Sequence, residues 1–455
     1  VKAPALIPLF LLFATLATRA ENQVWSDSKR SGAYGNFSGT WSETGETWAD
    51  SKGSDLVAFK GDSTAFFGGN GQIPASPEGE FTVTLDGAQS AGGIRQVSLG
   101  AGNYTLSEGS INITSPNGVR VDQGTFTINS TLLCDRDLII YLSATKPDAV
   151  LVLGGDNHEL KNGSVCLNGN PGVVRLTSAT ALGRGSGSLE LLSNPKNDSA
   201  DTLDINGLTV KQGRTLLNRV PGEGTAALVN NHPVEPATFQ DNIRLRVDTL
   251  LAFGGTGAGL TLTGLIDGDG VLYTTGPSSV TLTNFNTYSG GTVIGEGSTL
   301  VLDGRSESAT GTGPITVRGR GTLAGTGVKV AVAGPVVTAA PESTISPAGK
   351  GAGKLILNGG LDLEKGGTIA FDLGNNTTTT DALVIGDGAE FKGAVGPGPV
   401  TFAFTRKAAL AGSYVLIDFT GAKPVGLDVA AFKAAGVPGK FRLSGNKLEF
   451  SPSSH

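Results

Sequence analysis

The sequence predicts an all-β chain stacked as a parallel β-solenoid, and three observations predict it. Glycine is abundant, 69 of 455 residues, while charged residues make up only 16%, a balance that suits tight turns and buried strands. Apolar residues at i, i+3 and i+4 are scarce, and most segments carry Gly, Thr, Asn or Pro in their interiors, which favours strands over helices. Between Phe81 and about Val210 a dozen short runs follow one another, among them "FTVTLDG", "INITSPNG", "VRVDQG", "AVLVLGG" and "LDINGLTV", the pattern of many strands joined by tight turns. Disorder is excluded, because 38% of residues are hydrophobic and the net charge is only −6.

Two architectures accommodate such a procession. In a sandwich or barrel, pairs such as Asp86-Gly87 and Asn162-Gly163 are two-residue hairpin turns. In a solenoid the same pairs mark corners, and each strand stacks on its counterpart in the next turn. The runs continue beyond Arg244, and an open-ended stack absorbs that length better than one closed sandwich.

Taken in order, Lys2 precedes an apolar run, "APALIPLFLLFATLA", which is followed by "TRA". Residues 1–20 read as a secretory signal peptide. The run is short for a membrane span and contains two prolines, and no Cys follows the cleavage site, which argues against a lipoprotein. No later segment is apolar enough to span a bilayer as a helix. The expected location is therefore exported: extracellular, cell surface or periplasm. Residues 21–80 hold Trp25, Trp41 and Trp48 and read as an N-terminal cap, residues 81–367 as the solenoid body, and residues 368–455 as a C-terminal β cap covering the last open turn.

Within the body, Cys134 in "TLLCDRD" and Cys166 in "GSVCLNG" are a candidate disulfide in an oxidising compartment, or two buried thiols. "DNHEL", Asp156 to Leu160, sets two carboxylates around an imidazole, and "IDGDG", Ile266 to Gly270, sets two aspartates close together. Both read as polar turns rather than metal sites. "GKGAGKL", Gly349 to Leu355, is one residue short of a phosphate loop and ends in Leu where Ser or Thr is needed. No cofactor is expected. Nucleic acid is a poor partner, because a pI near 5.3 comes with no basic stripe.

The segment "VTLTNFNTYSGGTVIGEGSTLVLDG", Val280 to Gly304, carries the most specific pattern. Leu282, Asn286, Thr287, Tyr288, Ser289, Gly290, Gly291, Thr292, Ile294, Thr299 and Leu300 resemble the autotransporter-associated β-strand repeat, also called the passenger-associated transport repeat. This copy has Asn284-Phe285 where Gly-Ala is usual and one extra residue near Ser298. The resemblance implies an exported bacterial protein whose body is a right-handed parallel β-helix. A C-terminal translocator barrel is not expected, since only a handful of strands follow Thr368, too few for such a barrel. From turn chemistry, Asn286 to Gly291 reads as a structural corner, with Asn286 bonding backbone groups and the Tyr288 ring packing over a neighbouring turn. The other reading makes Tyr288 a platform on which a sugar stacks.

Two function classes follow. One is a structural or adhesive surface rod contacting polysaccharide, matrix or a cell-surface protein after passage through export machinery. The other is a polysaccharide-degrading enzyme, a lyase or glycosidase, since such enzymes also use β-helices. Acidic and basic residues are spread thinly, whereas catalysis of that kind gathers carboxylates or a basic group along one groove, which favours the rod.

Overall fold

The computed structural model describes residues 22–453, apart from 27–33, 36, 51–54, 70–74, 77–78, 98–101, 143–148, 169–171, 195–198, 219–225, 248–249, 304–308, 327–329, 333, 335, 349–352, 364, 375–379, 388, 394–399, 407–411 and 421–426. The expected signal peptide at 1–20 lies outside the described residues.

The chain is all-β, and its strands stack as a parallel β-solenoid. The cause is visible in single strands. In Leu138–Leu142 and Asn103–Ser107 buried and half-exposed residues alternate, as a period-two backbone with one wet face requires. Each turn of the chain runs through three faces. Val271–Thr275 lies in one, Ser279–Leu282 in the next, and the chain then crosses to the third before re-entering the first with Thr292–Ile294. Counterparts pair in parallel register: Leu262 with Leu282, Leu282 with Leu302.

Stacking of like on like builds the core. Leu138, Val165, Leu189, Leu216, Ile243 and Ile266 stand one above another in successive turns, all buried. No single repeat length governs the stack. Consecutive counterparts lie twenty residues apart from Leu262 to Leu282 but thirty from Leu361 to Phe391, because the connections between strands vary in length.

At the N-terminal end Trp25, Trp41 and Trp48 are fully buried. Their rings meet Phe37, Phe59 and Phe67 with centroids 4.5–6.4 Å apart, within aromatic packing range. Asn22–Trp25 pairs in parallel with Thr64–Phe67 but antiparallel with Trp48–Ala49, so the stack ends in a reversed strand that blocks further growth. At the other end Tyr414–Phe419 pairs antiparallel with Lys447–Pro452, which pairs antiparallel with Gly439–Ser444. Phe402, Phe404, Phe432, Phe441 and Phe450 fill the space beneath.

The expected boundary between body and C-terminal cap at 367/368 needs correction. Parallel pairing continues through Gly367–Leu373 with Val400–Arg406 and through Ala382–Ile385 with Tyr414–Phe419. Strands such as "TIAFDL" and "YVLIDF" are turns of the solenoid itself. At this end only Lys447–Pro452 runs against the stack, between Tyr414–Phe419 and Gly439–Ser444.

Candidate functional site

The Asn286 to Ser289 stretch runs as wall rather than corner. The amides of Thr287 and Ser289 donate to the carbonyls of Ile266 and Gly268 in the turn below, both at 2.9 Å, and the amide of Thr312 in the turn above donates to the carbonyl of Tyr288 at 2.9 Å. The side chains alternate accordingly: Asn286 and Tyr288 are buried, Thr287 and Ser289 exposed. Asn286 Oδ1 accepts from the Ile266 amide at 2.9 Å, and its Nδ2 donates to the Ala309 carbonyl at 2.6 Å. One carboxamide thus ties three consecutive turns. Tyr288 exposes nothing to solvent and shares a hydrogen bond with Thr292 Oγ1 at 2.6 Å; burial pushes its phenol well above the usual range. A ring with no exposed face cannot receive a sugar, which removes that reading of Tyr288.

The corner comes after the tyrosine. Gly291 has φ +99°, a conformation that L side chains avoid. Gly290 lies so close to the turn below that a Cβ there would run into the carbonyl oxygens of Asp269 and Gly270.

The same asparagine device recurs where no motif marks it. Asn157 accepts from the Leu132 amide and donates to the Ala181 carbonyl, each at 2.6 Å. Asn230 accepts from the Gly207 amide at 2.9 Å and donates to the Gly259 carbonyl at 2.8 Å. Asn157 sits in "DNHEL" and pins that loop. The flanking charges are exposed, with His158 3.3 Å from Asp156 and 3.0 Å from Glu159, and among the described residues no group of three His, Cys, Asp or Glu could hold a metal. In "IDGDG", Asp267 takes a two-point contact from Arg244 and Asp269 accepts from Ser289. These carboxylates are engaged with neighbouring turns.

No disulfide joins Cys134 and Cys166. Cys134 is buried behind the strand Thr131–Leu133, and burial pushes its thiol up. Cys166 occupies a half-exposed position of Val165–Asn168, with its sulfur 3.8 Å from Glu190 Oε2. Alternation along the strand sends Cys166 out of the core, on the opposite side of the wall from a buried partner.

A groove of about 470 Å³ opens on the outside of the first turns. Strand register puts Phe66, Arg95, Arg120 and Tyr141 in one column on four successive turns, with Phe66 buried at its foot against Val24 and Val97. Arg95 and Arg120 are immediate neighbours, a pairing of like charges that costs stability unless something lies between them. Asp122 does. Its largely buried carboxylate accepts Arg95 Nε and Nη2 on Oδ2, at 2.9 and 2.7 Å, and Arg120 Nε on Oδ1 at 2.7 Å. Arg95 also lies over the Phe66 ring, 5.4 Å from its centroid. Beside the column Asn117 reaches across to Thr64 at 3.4 Å. Among the described residues, two cations and no carboxylate line the groove.

Sequence reading passed over these residues. The signal available was the alternation in "IRQV" and "VRVD", which points each arginine outward, but nothing in it places Arg95 beside Arg120.

No protein-family model and no curated protein matches this chain. Among solved structures, the chain is similar to the crystal structure of the Haemophilus influenzae Hap adhesin at 11% identity, over 95% of this chain and 71% of that one, with a TM-score of 0.24. That superposition is too loose to carry a residue or an activity from one chain to the other.

Proposed function

We propose that the chain is an exported structural or adhesive protein: a β-helical rod, like the passenger regions of the autotransporter-associated repeat family, that contacts polysaccharide, matrix or a cell surface. Residues 1–20 are its export signal, and the stack is its spacer. The observation that carries the reading is the groove of Phe66, Arg95, Arg120 and Tyr141, which brings cations and aromatics together on the outside of the stack.

The alternative is a polysaccharide-degrading enzyme. Glycoside hydrolysis takes two carboxylates flanking the scissile bond, and the groove lining contains none among the described residues. Proton abstraction beside a uronate carboxylate is the chemistry the groove would better suit, because the Tyr141 phenol stands in register next to Arg120.

A panel of polysaccharides and matrix proteins tests both readings with one preparation, scoring retained protein and released sugar ends in the same wells. Retention without release is the expected outcome. Release of ends overturns the adhesive reading, and no retention on any surface overturns it equally.

A further inference from the structure

We infer that the groove on the first turns binds a carboxylate-bearing glycan, a uronic-acid polymer, with Arg120 as the residue that grips the carboxylate. The inference rests on the reading of the chain as a glycan- or matrix-contacting rod and names the ligand class of its groove.

Donor geometry is the first argument. Asp122 takes Nε and Nη2 of Arg95 but only Nε of Arg120, so the terminal nitrogens of the half-exposed Arg120 have no protein acceptor among the described residues. A guanidinium edge with two free donors matches a planar carboxylate point for point. Because Asp122 fixes Nε, the fork is already oriented when a ligand arrives, which lowers the ordering cost of binding.

Charge balance is the second. Two arginines and one aspartate leave the cluster with a single positive charge, in a chain that carries 40 acidic and 34 basic residues. Asp122 bridges the two adjacent arginines but offsets only one of their charges, whereas the inward column below them is uniformly apolar, with Ile94, Val119 and Ile140 in line. A site for one anionic group accounts for the pair; packing alone does not require it.

Shape is the third. The column from Phe66 to Tyr141 crosses three turn spacings, roughly 14 Å at ~4.8 Å each, and this suits an extended chain better than a lone ion. Tyr141, half-exposed one turn beyond Arg120, offers an aromatic edge for a neighbouring sugar ring. Asn117 on the opposite wall offers an amide to hydroxyls.

The test is equilibrium binding of the whole chain to polygalacturonate, its methyl ester, dextran and dextran sulfate, repeated with Arg120→Gln, Arg120→Lys and Tyr141→Ala. Arg120 is exposed enough for substitution to leave the fold intact, which circular dichroism verifies. The expected result is binding to polygalacturonate that weakens with salt, loss on methyl esterification, and roughly tenfold weaker binding for Arg120→Gln. Arg120→Lys keeps the charge but not the fork and recovers only part of it. Binding to dextran sulfate but not to polygalacturonate overturns the carboxylate assignment. Binding to any glycan unchanged by Arg120→Gln overturns the groove while leaving the adhesive rod standing. Failure of the wild-type chain to bind any surface, matrix proteins included, removes the rod reading and this inference with it.

Discussion

Asn286 Oδ1 accepts the amide hydrogen of Ile266, twenty residues back and one turn below, at 2.9 Å. Because the same side chain donates upward to Ala309, Asn286→Ala leaves a buried N–H and a buried C=O without partners. The expected cost is about 2–4 kcal/mol, read as a lower urea midpoint and as faster hydrogen exchange at the Ile266 amide. Exchange there at the wild-type rate would show that water or a shifted backbone replaces the carboxamide.

The glycines after the tyrosine separate two kinds of demand. Gly290→Ala places a methyl against the backbone of the turn below, where neither carbonyl can yield without breaking the ladder, and should cost about 3 kcal/mol. Gly297, at φ +74°, faces open space, so Gly297→Ala carries only the left-handed backbone penalty, about 1 kcal/mol. Equal melting-temperature drops for the two variants would contradict the packing account of Gly290.

Tyr288 gives the stack an alkaline limit. Burial raises its folded-state phenol above the ordinary value of 10.0, so the folded chain holds that proton more tightly than the unfolded one. The contribution is complete below the unfolded value and is lost as pH climbs through and beyond it. Denaturation at pH 8 through 11 should show stability declining above about pH 10, with a shallower decline in Tyr288→Phe. Parallel profiles for the two proteins would rule Tyr288 out as the cause.

All three tryptophans sit within one buried cluster at the N-terminal end, so fluorescence reports that end alone. A linear stack has contacts mainly between adjacent turns and can unfold in parts. The fluorescence transition and the far-ultraviolet circular dichroism transition are expected to separate in urea. Their coincidence would mean the whole chain behaves as one cooperative unit.

Much of the fold is written locally. The alternation in "VTLT" or "LIIYL" states which side chains enter the core, glycines and asparagines state where the chain can bend, and the clustered tryptophans announce a plugged end. Asn286 and Tyr288 were legible as structural residues for the same reason, although their turn-like composition suggested a corner where the chain in fact runs as wall. The end of the solenoid was misplaced because a parallel strand and a capping strand have the same composition. Only the partner's direction distinguishes them.

What the sequence by itself determined is the inside and outside of each turn, since period two is a property of the backbone and needs no partner. Vertical neighbours were decided by the tertiary structure. Counterparts lie twenty residues apart from Leu262 to Leu282 and thirty-four from Leu383 to Ile417, so there is no fixed repeat from which register could be counted. Arg95 meets Arg120 across Asp122, and Asn157, Asn230 and Asn286 each tie three turns, because turn lengths and close backbone approach bring those residues level.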